Sequence, residues 1–208
     1  MNKLVQKKYA PATDRNREAI LKVLKGCLPD HGTILEIASG TGQHAIYFVE
    51  QLPNHYWQPS DPDLNCRNSI SAWWWETQLN NILPPMDINT QADNWPIENS
   101  TPPLPVTSMV CINMIHISPW ASTVGLMKGA ARILPKYGVL YLYGPYKIDG
   151  KHTAPSNELF DISLHSRNSE WGVRDLNDVK ELAKDHGFGF VKTVEMPANN
   201  LSVIFKKS

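Results

Sequence analysis

One short stretch of the sequence combines two glycines with a carboxylate, which suits it to binding a small molecule. Residues 33–45 read TILEIASGTGQHA, an apolar run that contains Glu36 and breaks at Gly40 and Gly42. Glycines at such a turn let backbone amides approach a ligand closely, and a helix that begins there favours negative charge at its first residues. The pattern indicates a nucleotide site at the end of a strand, and two kinds of ligand fit it.

The first interpretation is a dinucleotide site. Residues 40–45, GTGQHA, fit the pattern G-x-G-x-x-[GA], and Asp61 stands at the end of the next predicted strand, where an acid accepts hydrogen bonds from a ribose. This interpretation gives no use to Glu36, because a dinucleotide turn needs no carboxylate next to its pyrophosphate.

The second interpretation rests on a resemblance to the first motif of class I S-adenosylmethionine-dependent methyltransferases, [DE]-h-G-x-G-x-G. The motif aligns from Glu36 to Gly42, with Ala38 in place of its first glycine. The resemblance implies that Glu36 holds the ammonium side of the methionine moiety, and that Ala38, Ser39, Gly40 and Gly42 line the cofactor. A Cβ at residue 38 predicts that the backbone there has no positive φ and that Gly40 and Gly42 carry the close approach.

The same resemblance extends to the ends of three later strands. Methyltransferases of this class hold the ribose after the second strand, flank the adenine after the third, and border the acceptor after the fourth. The cofactor residues implied in this way are Asp61 and Pro62 after the second strand, Asp87 and Ile88 after the third, and Asn113 and Met114 after the fourth.

The N-terminal segment KKYAPATDRNRE has two open interpretations. Tyr9, Arg15 and Asn16 could close over the cofactor, since an arginine can pair with a carboxylate. Alternatively, the segment is an exposed helix start with Thr13 or Asp14 as its N-cap.

Catalysis of methyl transfer depends on holding an acceptor in line with an activated methyl group, and orientation contributes about 7–11 kcal/mol to such reactions. His116 is the candidate base, because imidazole titrates near neutral pH. Tyr146 is a second candidate catalytic residue. The alternative is that His116 hydrogen-bonds to backbone and shapes the loop after the fourth strand.

Residues 145–174 form a connection too long for a simple turn, and long loops of this kind are often lids. Its segment SNELFDISLHSRN has helical spacing of apolar residues. Asn157, Arg167 and Trp171 are the predicted substrate-binding residues. The alternative is a surface helix whose charges are merely solvated.

The predicted elements alternate between helices and strands, which indicates a parallel sheet covered on both faces. Two closely spaced final strands must be antiparallel, because parallel strands need a long crossover. Predicted helices span residues 14–26, 43–52, 64–80, 120–134 and 175–186; predicted strands span 33–38, 55–60, 82–88, 106–113, 138–143, 189–195 and 201–206.

Composition limits the function classes. The chain has 208 residues, 42% of them hydrophobic, which is enough for one sizeable core. Twenty Lys and Arg balance 20 Asp and Glu, so no net field attracts nucleic acid or an anionic membrane.

The three cysteines are isolated, which argues against a disulfide framework and against a metal site. No apolar run approaches the roughly 20 residues of a membrane span, and residues 1–16 lack the apolar core of a signal peptide. We therefore expect a cytoplasmic protein.

Residues 73–75 are three consecutive tryptophans. Because consecutive helix residues point about 100° apart, they cannot all share one buried stripe. At least one should reach solvent or a partner, and a homodimer contact is one alternative.

Five longer strings are more specific: YAPATDRNREAIL, LEIASGTGQHA, NMIHISPW, LYLYGPY and SNELFDISLHSRNSEWGVRDL. They resemble a family of small class I methyltransferase-like proteins of bacteria and animals, labelled a domain of unknown function. The resemblance covers nearly the whole chain. It implies one Rossmann-like α/β domain over residues 1–208, with a seven-stranded, mostly parallel sheet whose seventh strand is antiparallel, a cap helix at about 10–26 and a lid insertion at about 145–174.

Three hypotheses follow for function. The leading one is an S-adenosylmethionine-dependent methyltransferase acting on a small molecule. The second is an NAD(P)-dependent oxidoreductase, and the third is a methyltransferase-fold module that binds the cofactor or a partner without turnover.

Overall fold

The structure, a computed structural model, describes residues 7–208. Helices and strands alternate from the first helix to the strand that ends at Gly144. The helices are α1 (Pro11–Lys25), α2 (Gln43–Gln51), α3 (Leu64–Thr77), α4 (Trp120–Ile133), α5 (Pro155–Arg167) and α6 (Leu176–Asp185). The strands are β1 (Gly32–Ile37), β2 (His55–Pro59), β3 (Val106–Ile112), β4 (Val139–Gly144), β5 (Lys147–Ile148), β6 (Lys151–His152), β7 (Phe188–Met196) and β8 (Asn200–Lys207).

The main sheet has the order β2-β1-β3-β4-β8-β7. The first four strands are parallel, and β8 is antiparallel to both β4 and β7. The predicted α/β fold with an antiparallel terminal hairpin is therefore confirmed. The order of the strands reverses between β1 and β3, which makes the carboxyl ends of these two strands the topological switch point.

The predicted third strand, residues 82–88, is reduced to two isolated parallel bridges, Trp57 to Ile82 and Ser60 to Met86. The sheet of the described residues therefore has six strands where seven were predicted. The cause lies in Pro84 and Pro85, which have no N–H to donate to a ladder. Four backbone hydrogen bonds of 2.8–3.0 Å still hold residues 81–86 beside β2.

Side chains alternate between the two faces of the sheet. Ile34 and Trp57 pack under α1, α2 and α3, whereas Leu35 and Met109 pack under α4 and α6. The helix starts agree with their sequence signals only in part. The helix predicted from residue 175 begins with Asp175 as the N-cap of α6. By contrast, α1 begins at Pro11, three residues before the predicted start, because proline suits the first turn of a helix.

The connection from β4 to α6 contains the β5–β6 hairpin and α5. Among residues 7–208, no helix has the length and apolar character needed to span a bilayer.

Candidate functional site

The carboxyl ends of β1 and β3 each carry a non-glycine residue with left-handed backbone. Ala38 follows β1 with a φ of 56°, and Asn113 follows β3 with a φ of 63°. Such conformations cost L-residues roughly 1–2 kcal/mol and are often found at functional sites. The prediction that residue 38 has no positive φ is wrong. The sharp turn of the chain out of β1 imposes this conformation whether or not residue 38 has a Cβ.

The two glycines of the turn have different reasons to be glycine, although both have positive φ, 58° at Gly40 and 89° at Gly42. A Cβ on Gly40 would meet nothing within 4 Å, so this residue borders open space. A Cβ on Gly42 would lie 2.9 Å from the Cα of Ile70. Gly40 therefore has open space beside it, whereas Gly42 is required by the packing of α3.

Asp61 follows β2 and lies against this turn. Its Oδ2 accepts the N–H of Gly40 at 3.0 Å, and its Oδ1 accepts the N–H of Asp63 at 2.9 Å. The side chain is buried, and burial raises its pKa even though the two N–H groups act in the opposite direction. The lone pairs left on both oxygens can accept hydroxyl protons from a bound molecule.

Glu36 is the most deeply buried carboxylate near the turn, with 1% of its surface exposed. The indole Nε1–H of Trp57 donates to its Oε2 at 3.0 Å. Burial raises the pKa of Glu36 to about 7, and the indole hydrogen bond only partly offsets this. Among the described residues no cation forms an ion pair with Glu36 or with Asp61.

The pair Asp61 and Asp87 is joined by a residue that the sequence analysis missed, Arg67 on α3. The Arg67 guanidinium donates to the backbone oxygens of Asp61 and Pro62 at 2.8 and 2.9 Å and pairs with the Asp87 carboxylate at 3.0 Å. Asp87 is exposed and Ile88 is buried in the core. The signal for Arg67 was its position four residues past Asp63, the N-cap of α3, which places it on the first turns beside the end of β2.

The N-terminal segment crosses the outer side of the turn. The N–H of Ala10 donates to Gln43 at 2.6 Å, and the Oδ1 of Asn16 contacts the Nε2 of His44 at 2.8 Å. Asn16 is buried there, whereas Tyr9 and Arg15 are exposed, with the Tyr9 hydroxyl bonded to Asp14. Only Asn16 of these three predicted residues therefore lies inside the fold.

His116 and Tyr146, the two candidate catalytic residues, meet beyond the carboxyl ends of β3 and β4. Both are fully buried, and their rings contact edge to face with centroids 5.0 Å apart. Burial, helped by the nearby Arg174, lowers the pKa of His116 to about 3; burial raises that of Tyr146. A general base works best with a pKa near the working pH, so proton abstraction by His116 is unfavourable in this arrangement. A catalytic role for either residue stays a prediction.

The predicted substrate residues lie on the insertion, which is the connection of residues 145–174 between β4 and α6. Asn157 is buried and donates to Thr153 and to the backbone oxygen of Asn199, both at 2.9 Å, so it fastens α5 to the β7–β8 turn. The Arg167 guanidinium lies over the partly exposed ring of Trp171, 5.5 Å from its centroid, on the outer side. The structure therefore brings Arg167 and Trp171 together, whereas Asn157 is bonded elsewhere, to the β7–β8 turn.

Two polar residues hold the insertion in place. The Asp161 carboxylate is 2.7 Å from Lys147 Nζ and accepts the N–H of Val173 at 2.7 Å. Arg174 donates to the backbone oxygens of Ile115 and Ser118 at 3.0 and 2.7 Å. The insertion and the loop after β3 are thereby joined. Arg174 was not singled out from the sequence, because its partners are backbone oxygens and leave no pattern of side chains.

No group of three or more His, Cys, Asp or Glu within residues 7–208 is arranged to hold a metal ion. The Trp run divides between surface and interior: Trp75 is 76% exposed, while Trp73 and Trp74 are partly buried.

Several solved structures of methyltransferases are similar to this chain. Mitomycin 7-O-methyltransferase MmcR matches at 12% identity over 94% of this chain and 53% of its own, with a TM-score of 0.74. An O-methyltransferase family 2 protein from Planctomyces limnophilus, in complex with apigenin, matches at 15% over 92% and 62%, with a TM-score of 0.71. Human N-acetylserotonin methyltransferase, in complex with SAM, matches at 12% over 92% and 55%, with a TM-score of 0.69.

At these identities the likeness shows the fold, and this chain spans little more than half the length of those proteins. A family model described as "Protein of unknown function (DUF938)" matches residues 7–207. The chain therefore belongs to this family, and its fold is that of the class I methyltransferases.

Proposed function

We propose that this protein is an S-adenosylmethionine-dependent methyltransferase that acts on a small molecule. The observation that carries the proposal is the hydrogen bond from the Gly40 N–H to the Asp61 carboxylate, next to the buried Glu36. It makes the turn acidic at the place where a nucleotide cofactor binds in this fold.

The same hydrogen bond disfavours a dinucleotide. In a dinucleotide site the amides at the glycine turn and the following helix receive the pyrophosphate. Here the Gly40 N–H is already used by a carboxylate, which would repel a pyrophosphate. A ligand with an ammonium group and a sulfonium suits two carboxylates that have no cation partner among the described residues.

Four of the predicted cofactor residues, Glu36, Gly40, Asp61 and Asp87, have a defined role in this proposal. Asp61 accepts the ribose hydroxyls, Glu36 faces the ammonium group, and Gly40 leaves room for the methionine moiety. Arg67 fixes the backbone at Asp61 and Pro62 and holds Asp87 near the adenine. The small-molecule acceptor is proposed by analogy with structural neighbours such as mitomycin 7-O-methyltransferase and N-acetylserotonin methyltransferase.

The test is ligand binding by the full chain. We expect S-adenosylhomocysteine to raise the melting temperature and NADH to leave it unchanged; stabilisation by NADH alone would overturn the proposal.

Asp61→Asn should weaken S-adenosylhomocysteine binding about tenfold, because charge-assisted hydrogen bonds are roughly twice as strong as neutral ones. Asp63→Asn is the matched control, since the exposed Asp63 carboxylate accepts the N–H of Asn65 at the start of α3 and contacts Lys8.

A further inference from the structure

The imidazole of His116 has one nitrogen with a partner and one without. The backbone N–H of Arg174 donates to its Nδ1 at 3.4 Å, so the proton of the neutral ring belongs on Nε2. Nε2 is buried and has no hydrogen-bond partner among the described residues. A buried N–H without a partner is rare in folded proteins, and it needs an explanation.

Asn113 is the polar neighbour that this N–H can serve. A Cβ built on Gly144 would lie 2.5 Å from His116 Nε2 and 3.3 Å from Asn113 Oδ1, so both atoms border the same point beside β4. Asn113 is only partly buried, and its left-handed backbone places it at the switch point. His116 therefore lies behind a side chain that reaches the ligand-binding edge.

We propose that His116 is a positioning residue that acts through Asn113: when the cofactor binds, the His116 Nε2–H, which has no partner among the described residues, donates to the side-chain oxygen of Asn113 and thereby directs the Asn113 NH2 group to an oxygen of the cofactor. The inference rests on the proposed function, because it assigns the ligand of Asn113 to the S-adenosylmethionine site.

The surroundings of the ring keep it neutral, as this role requires. The charged and titratable groups that face it are Arg174 and Asp161 on the insertion and Tyr146 after β4. The Arg174 side chain cannot withdraw without breaking its bonds to Ile115 and Ser118. The Gly172 N–H also holds the backbone oxygen of His116 at 3.0 Å, so the ring cannot easily leave its place.

The first experiment measures the tautomer. Long-range ¹H–¹⁵N spectra of the ¹⁵N-labelled full chain should contain one imidazole that carries its proton on Nε2 and does not titrate between pH 5 and 8. The spectrum of His116→Gln identifies that signal by its loss. A signal from His116 that titrates in this range, or that carries its proton on Nδ1, would overturn the proposal.

The second experiment uses two variants that each keep one half of the imidazole. His116→Gln can place a donor where Nε2 was, and His116→Asn can place an acceptor where Nδ1 was. We expect S-adenosylhomocysteine affinity within about threefold of the wild type in His116→Gln, and a loss of about tenfold in His116→Asn, the size of one hydrogen bond to a ligand. A purely structural role predicts equal losses in the two variants.

The double variant His116→Asn/Asn113→Ala tests whether His116 acts through Asn113. Its affinity for S-adenosylhomocysteine should equal that of Asn113→Ala alone, because residues in one network are not additive. Additive losses, or an unchanged affinity in Asn113→Ala, would overturn the proposal. A wild-type chain that binds no S-adenosylhomocysteine would overturn the proposed function together with the role of Asn113, whereas a titrating His116 would overturn this inference alone.

Discussion

The two sides of the switch point differ in the charge and in the exposure of their side chains. On the side of β1 and β2, Glu36 and Asp61 bring carboxylates to an open glycine turn and have no cation partner among the described residues. On the side of β3 and β4, His116 and Tyr146 are neutral, fully buried and covered by the insertion. One side is charged and open toward a ligand, and the other is uncharged and closed.

The difference also gives the two sides opposite responses to pH. Burial raises the pKa of Glu36 to about 7, so the stability from its bound proton is complete below about pH 4.5 and is lost as the pH rises through 7. Burial lowers the pKa of His116 to about 3, so its contribution is complete above pH 6.5 and is lost as the pH falls through 3. A cation next to Glu36 would therefore favour its ionised form on the open side, whereas burial under the insertion keeps the His116 imidazole neutral on the closed side.

The largest effect is expected on the closed side. Asp161→Ala removes a carboxylate that contacts Lys147 and the N–H of Val173, so the free energy of unfolding should fall by about 3–4 kcal/mol, as when one partner of a buried ion pair is lost. Urea unfolding gives the magnitude. Hydrogen exchange should show lost protection in α5 and unchanged protection in α2.

Glu158→Ala is the control for this change, because Glu158 is exposed on the same helix. Equal losses of stability in Asp161→Ala and Glu158→Ala would show that the insertion is not held by the Asp161 contacts.

On the open side, Glu36→Gln should remove a pH dependence. The free energy of unfolding of the wild type should fall by about 2–3 kcal/mol relative to the variant between pH 4.5 and 8, because only the wild type must ionise a buried carboxylic acid. Urea unfolding of both proteins across this range measures the difference and cancels the titration of the histidines. A constant difference would mean that Glu36 keeps an ordinary pKa.

The two glycines of the turn separate packing from binding. Gly42→Ala should lower the free energy of unfolding by about 2 kcal/mol, because its Cβ would lie 2.9 Å from the Cα of Ile70 at a φ of 89°. Gly40→Ala should lower the free energy of unfolding by about half as much. Unlike Gly42→Ala, it should also reduce the affinity for S-adenosylhomocysteine. Thermal unfolding and calorimetry on both variants check this; the reverse order would place the ligand at Gly42.

The smallest predicted effect is a gain in stability. Ala38→Gly should raise the free energy of unfolding by about 1 kcal/mol, because glycine adopts a φ of 56° without a steric penalty. Chemical unfolding measures it. A loss of stability would mean that the methyl group of Ala38 contributes more through packing than its backbone conformation costs.

The sequence predicted the open side far better than the closed side. Strand periodicity, the glycine turn and the acid at the end of β2 are local patterns, so the fold and the place of Asp61 could be predicted from them. The same patterns wrongly predicted a third strand at residues 82–88. The prolines at residues 84 and 85 leave the apolar pattern intact and remove only the backbone N–H groups that a full strand would donate.

The closed side depends on contacts between distant residues, which leave no local signal. The roles of Asp161 and Arg174 come from hydrogen bonds to the backbone of other segments, 12 and 59 positions away. The burial of His116 likewise depends on residues 172–174, which cover it from the far end of the insertion. A histidine read from the sequence as a candidate base is therefore a neutral, enclosed ring in the fold.

The most direct test of the open, acidic turn is the proton balance of cofactor binding. S-adenosylhomocysteine is titrated calorimetrically into the full chain at pH 6.5 in two buffers of different ionisation enthalpy. The proposed site predicts binding with release of a fraction of a proton, because the ammonium group favours the ionised form of Glu36, and no such release in Glu36→Gln. Binding without proton release in the wild type, or binding of NADH in place of S-adenosylhomocysteine, would contradict it.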